Sequence, residues 1–180
     1  MEPREAMEND KTGEIAQAQF RKVMGSFPTG ITVITAESRG EIRGMTANAF
    51  MSGSLHPPLC IVSVAKRARM HVHLVEAGHF GVSILGQGQE HHSAHFSGRP
   101  VAGFTPAFMR LGQTPVLRDA SATIAADTVA RHDCGDHSIF VGHVVHLQAH
   151  GRVPLVVHDG RYASLKYLQE APPEPVADFW

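Results

Sequence analysis

Ile31-Thr32-Val33-Ile34-Thr35-Ala36 carries five β-branched residues in six positions. Such a run fits a pleated strand buried on at least one face. The polar Ser38–Glu41 predicts a hairpin tip, and Ile42–Thr46 the returning strand. Further strands are expected over Leu59–Val64, Phe80–Leu85, Val116–Leu117 with Ser121–Ala130, Ser138–Leu147 and Val153–Val157, the last leading into the turn dipeptide Asp159-Gly160. Helical spacing predicts three short helices, Glu14–Met24 ended by Gly25, Met70–Glu76 stopped at Gly78, and a polar one over Gln89–Phe96. After Ala47–Phe50 a stretch rich in Ser and Gly runs to Leu55, then Pro57 and Pro58 interrupt regular structure, and Gly98–Leu111 reads as irregular. Many strands with few helices predict a mainly β fold with flanking helices, a β-barrel rather than alternating β-α units.

The 180 residues suit one core, which we place over 14–168, between a flexible polar N-terminus (1–13) and a Pro-rich acidic tail (169–180) whose Phe179 and Trp180 read first as a mobile terminus and only second as a docking tip. Sixteen basic against seventeen acidic residues leave no net pull toward nucleic acid or an anionic membrane, so an anionic ligand needs a local cluster. Two cysteines, Cys60 and Cys134, supply neither a disulfide framework nor a thiolate metal site. With no apolar run of about eighteen residues, and a polar start, a cytoplasmic protein is expected. The one Gly-rich candidate, Gly86-Gln87-Gly88, lacks the third glycine of a dinucleotide-binding turn, which excludes a Rossmann reading.

Thirteen histidines stand out. His91 and His95 share a helix face, with His92 and Glu90 beside them; His143, His146 and His150 follow on a late strand. His143 and His146, three apart, should point to opposite faces of a strand, and no complete metal motif is present, so no metal site is expected. Cys134 lies near His132 and His137, a setting for oxidation sensitivity, but an inert thiol, buried or merely exposed, is the expected reading.

Phe27–Thr35, Arg43–Pro58, Phe80–Leu85 with Phe96, and Gly135-Asp136-His137 with Ile139–Val144, Pro154–Val157 and Gly160-Arg161-Tyr162 form ordered blocks. Together they resemble the flavin reductase family with the FMN-binding split barrel, over about Phe20–Leu165. The resemblance implies a homodimer of Greek-key split barrels with FMN or FAD in a groove near the subunit interface. It also implies NADH or NADPH as hydride donor, and a separate monooxygenase that receives the reduced flavin. Such chemistry needs no nucleophile or metal, because both redox partners bring their reactive atoms and the protein orients them.

The resemblance places Thr46, Ala47 and Asn48 along the flavin ring, with Thr29, Gly30 and Ser63 as neighbours. It places Ser52, Ser54, Lys66, Arg67 and Arg69 around the phosphate. On the residues alone, Ser52-Gly53-Ser54 reads equally as a turn and the basic run as a solvated approach to a helix. His137 and Tyr162 match positions associated with the nicotinamide, as hydrogen-bonding and stacking groups; a histidine at a strand entrance would explain His137 as well. Where relatives often carry a hydroxyl beside the basic segment, this chain has Ala68 and Met70, and Ser83 replaces an Asn. Two other functions remain open on sequence: a flavin carrier without nicotinamide-dependent activity, and a reductase of another acceptor such as a corrinoid or ferric iron.

Overall fold

The β-branched run becomes β2 (Thr32–Ser38), buried along most of its length. It sits second in a seven-stranded antiparallel sheet in a computed structural model that describes residues 15–167. The expectations for the 1–13 segment, for the 169–180 tail and for Phe179 and Trp180 lie outside the described residues.

From one edge to the other the sheet runs β3 (Glu41–Ala47), β2, β6 (His79–Ile84), β9 (Ala122–Cys134), β10 (His137–Ala149), β5 (Pro58–Ala65) and β4 (Phe50–Leu55). Its two edge strands are therefore sequence neighbours joined only by Asn48 and Ala49. A flat seven-stranded sheet would hold its edges about 29 Å apart, whereas the three Cα steps from Ala47 to Phe50 span at most about 11 Å. The sheet must curl until its edges meet at Asn48-Ala49, and that corner dominates the site described below.

Both faces of β2 are covered, which explains its nearly continuous burial. Ile34 and Ala36 pack with Val62, Val64, Phe80, Val82 and Phe140. Ile31 and Val33 face Leu85, Leu117 and Leu155. Helix α2 (Arg69–Ala77) inserts Met70 and Leu74 into the first cluster and ends at Gly78, whose φ of 68° is a left-handed cap that a Cβ would disfavour. Two smaller sheets complete the fold: β1 (Thr29–Gly30), β11 (Val156–His158) and β12 (Arg161–Ala163), and the hairpin β7 (Phe108–Leu111) with β8 (Thr114–Leu117). Helix α3 (Glu90–Phe96) lies against β3. Helix α1 (Gln17–Gly25) buries no residue; Phe20, Val23 and Met24 all stand exposed, so its apolar face is uncovered among the described residues.

The structure corrects several expectations. Phe50–Leu55 is a strand, because ladder bonds to β5 define it regardless of its Ser and Gly content, with Gly53 left out of the pairing as a bulge. Phe108–Leu111 pairs within the stretch read as irregular. β9 continues beyond Ala130 to Cys134, its exposed polar end held by the partner strand β10. The late strand over Val153–Val157 begins only at Val156, while Pro154 bridges to Gly86.

Candidate functional site

The corner is built by threonines that use their hydroxyls on backbone. Thr32 Oγ1 donates to the Ala47 carbonyl at 2.7 Å, and Thr46 Oγ1 donates to the Ser93 carbonyl of α3 at 2.7 Å. Gly44 admits the Phe96 ring so closely that a Cβ there would lie 2.6 Å from it. α3 is thereby fastened onto β3. Across the corner, Ser63 N donates to the Ala49 carbonyl at 3.1 Å and Phe50 N to that of Asn48 at 2.9 Å. Asn48 and Ala49 are exposed, and the Asn48 amide makes no side-chain hydrogen bond among the described residues. Thr29 and Gly30 enter the same rim: they pair with Val157 and Val156, and Thr32, two residues on, pairs with Ala47. Thr29 Oγ1 is buried without a partner, and a Cβ on Gly30 would meet no atom within 4 Å.

The second component lies where β5 ends. Ala65 pairs with His137, and Lys66 N donates to the Asp136 carbonyl at 2.9 Å, which docks the basic segment on the β9–β10 turn. That turn carries Gly135 at φ 57°, a left-handed position natural to glycine. Lys66 Nζ lies 3.3 Å from Asp133 Oδ2, and His137 Nδ1 lies 2.7 Å from Asp136 Oδ1. The Lys66 hydrogen bond, reinforced by its charge, holds the Asp133 carboxyl below the ordinary range. The His137 hydrogen bond does the same for Asp136, with smaller help from Arg67. Arg67 and Arg69 are exposed and make no salt bridge among the described residues. They flank the start of α2, whose Ala68 cap offers no side-chain acceptor to the first helical N–H groups. Two uncommitted guanidiniums and a helix start make this a place for an anion.

The structure does not unite all the residues that the resemblance suggests. Ser52 pairs with Cys60 and Ser54 with Leu59, near the far end of β5. The five residues from Cys60 to Ala65 span about 17 Å of strand. One phosphate cannot touch both the serines and the basic segment of the same chain, and Ser54 Oγ already accepts from His56 N at 3.2 Å. Ser63, Asn48 and Ala49 lie between the two ends. Tyr162 sits on β12 and lines a cavity of about 250 Å³ with Gln87, Gly88, Glu90 and Leu155. His137 pairs with Cys134, while Ile84, near Gln87, pairs with Ala122. The twelve residues of β9 between those contacts amount to about 40 Å of strand. His137 and Tyr162 therefore occupy opposite ends of the sheet within one chain.

A groove of about 900 Å³ adjoins the basic segment, lined by Met45, Arg69, His95, Phe96 and Phe108 among others. Its size suits a nucleotide-sized ligand. Sequence reasoning missed the groove, which requires α3 and the 98–108 segment to fold beside β3. It also missed Asp133 as the partner of Lys66; only the register of β9 against β10 brings that acid to the basic segment.

Three of the histidines pack around one aromatic ring. His91, His92 and His95 surround the Phe104 ring at centroid distances of 4.7, 4.7 and 5.2 Å. Burial, followed by the neighbouring His91, pushes the His92 pKa down. Among the described residues no group of three or more His, Cys, Asp or Glu is placed to hold a metal ion. His143 and His146 share a face, contrary to expectation, because the bulge at Val145 resets the alternation: they pair with Asp127 and Ala125, two residues apart. Cys60 is buried and its thiol is pushed up to about 11 by desolvation, whereas Cys134 is exposed.

Among the described residues, a curled antiparallel sheet with an open corner and a cation-bearing segment beside it form a surface suited to a small anionic ligand. Residues 24–166 match the flavin reductase like domain family, and the chain belongs to that family. It is 39% identical over 158 residues to an NADH-dependent flavin reductase of a Rhodococcus species, covering 86% of this chain and 90% of the relative. It is 39% identical over 139 residues to the reductase component of 4-hydroxyphenylacetate 3-monooxygenase from Thermus thermophilus, covering 77% of this chain and 89% of the relative. Among solved structures, the flavin reductase PheA2 superposes with a TM-score of 0.82 at 38% identity, covering 85% of this chain and all (100%) of that one. No helix among the described residues is long and apolar enough to cross a membrane.

Proposed function

We propose that this chain, over 14–168, is an NADH-dependent flavin reductase that supplies reduced FMN or FAD to a separate monooxygenase. The observation that carries the reading is the corner at Thr46-Ala47-Asn48, open to solvent, with Ser63 beside it and, one strand-end away, Arg67 and Arg69, which make no salt bridge among the described residues. A flavin fits the donor set: the Asn48 amide and exposed backbone suit the polar edge of its ring, the orphaned Thr29 hydroxyl gains a partner, and Arg67, Arg69 and Lys66 suit its phosphate. When bound, flavin supplies the hydride acceptor and NADH the donor. The residues then have only to hold the two rings in register and keep the phosphates neutralised. Ser52 and Ser54 lie too far from the basic segment to serve the same phosphate, so we assign them no contact within one chain. The adjoining groove gives room for the nucleotide half of FAD or of the dinucleotide.

We take the curled sheet as a split barrel and the assembly as a homodimer in the cytoplasm. The uncovered face of α1 and the exposed Val129, Val145 and Leu147 on the long ribbon support a second copy. A dimer also supplies what one chain lacks, a route for His137 and Tyr162 to border one nicotinamide from different subunits. The test is NADH consumption by the purified protein with and without FMN, FAD or riboflavin. Turnover that depends on added flavin is expected; flavin binding without turnover would leave a carrier instead.

A further inference from the structure

Ser138 is 1% exposed, and a buried hydroxyl is costly unless both its donor and acceptor roles are filled. Its Oγ donates toward Asp133 Oδ1 at 3.3 Å and, with its proton so used, accepts from His71 Nε2 at 2.9 Å. His71 is half-buried on α2, with its ring edge-on to Phe140 at 5.4 Å. The other Asp133 oxygen holds Lys66. A single chain of polar contacts thus runs from α2 through the buried Ser138 to Asp133 and Lys66. Neither Ser138 nor His71 touches the corner itself.

We infer that His71 is a positioning residue: through Ser138 it fixes the Asp133 carboxylate, which holds Lys66 in place for the flavin phosphate. The inference rests on the placement of that phosphate proposed above. Without the relay, Asp133 sits at the fully exposed end of β9 and can follow Lys66 into many rotamers. An exposed, unordered ion pair of this kind contributes little, and ordering it in advance removes an entropic cost from ligand binding.

The experiment titrates the full-length protein with FMN and with riboflavin, which lacks the phosphate, by quenching of flavin fluorescence. His71→Leu and Ser138→Ala are expected to weaken FMN about fivefold, the factor equivalent to one exposed charge contact, and to leave riboflavin unchanged. His71→Gln keeps an N–H near the Nε2 position and is expected to behave as the wild type. The inference is overturned if His71→Leu and Ser138→Ala bind FMN normally while Lys66→Met does not. It is equally overturned if FMN and riboflavin weaken together in all variants including His71→Gln, which marks a purely structural role. If Lys66→Met itself leaves FMN unaffected, the phosphate placement is wrong and the relay falls with it.

Discussion

Gly30→Ala separates the needs of the fold from those of the ligand. The new Cβ meets no protein atom within 4 Å, and Gly30 is absent from the positive-φ glycines. Nothing among the described residues opposes the substitution, and lost freedom of the unfolded state should stabilise it by about 0.4–1 kcal/mol. In a chain of this size that raises Tm by roughly 1–4 °C. The empty space, however, lies on the rim proposed for the flavin ring. A methyl group intruding on a close-packed ligand costs about 1–3 kcal/mol, or roughly 5- to 150-fold in Kd. Thermal melting by circular dichroism and flavin titration on the same preparation read both effects. A variant that melts no lower than wild type but binds flavin much more weakly is expected. Unchanged flavin affinity would refute the placement of the ring over Gly30, and a lowered Tm would refute the reading of the space.

Gly81→Ala should do the reverse: its Cβ would crowd the Pro115 carbonyl, Thr35 Oγ1 and Val116 together, costing about 1–3 kcal/mol by overpacking, and an unaltered melting curve would contradict this. The depressed His92 pKa means that the unfolded chain, at about the ordinary 6.5, takes up this proton first. The associated stability is present above pH 6.5 and lost as pH falls through the folded value. Tm measured from pH 7.5 down to about 5.5 should therefore fall less steeply in His92→Gln; parallel curves would dismiss the effect. A thiol reagent at mildly alkaline pH should modify Cys134 rapidly and Cys60 only on unfolding; equal rates for the two would count against the burial of Cys60.

The strands legible in the sequence are those whose side chains announce burial. Ile31–Ala36 and Phe80–Leu85 are apolar and β-branched because both faces of β2 and β6 are covered. Edges were harder: β4 is a strand by its ladder with β5, and Met51, Ser52 and Gly53 are exposed, so selection for burial left no mark on them. The same holds for the polar end of β9. At the site, chemical type was readable and distance was not. Asn48, Lys66 and Arg67 could be named from motif and charge, yet the separation of Ser52 from the basic segment follows from register alone. The bulge at Val145 likewise reverses the facing of His143 and His146 with no sequence signal beyond an unremarkable valine.

The activity to be tested is delivery of hydride from NADH to flavin by this chain. Its most direct test is anaerobic mixing of the purified protein with one equivalent each of NADH and FMN or FAD while oxidised-flavin absorbance is followed. Bleaching with matching loss of NADH is expected, at a rate far above that of the two ligands alone. Flavin that stays oxidised, with NADH intact, would contradict it.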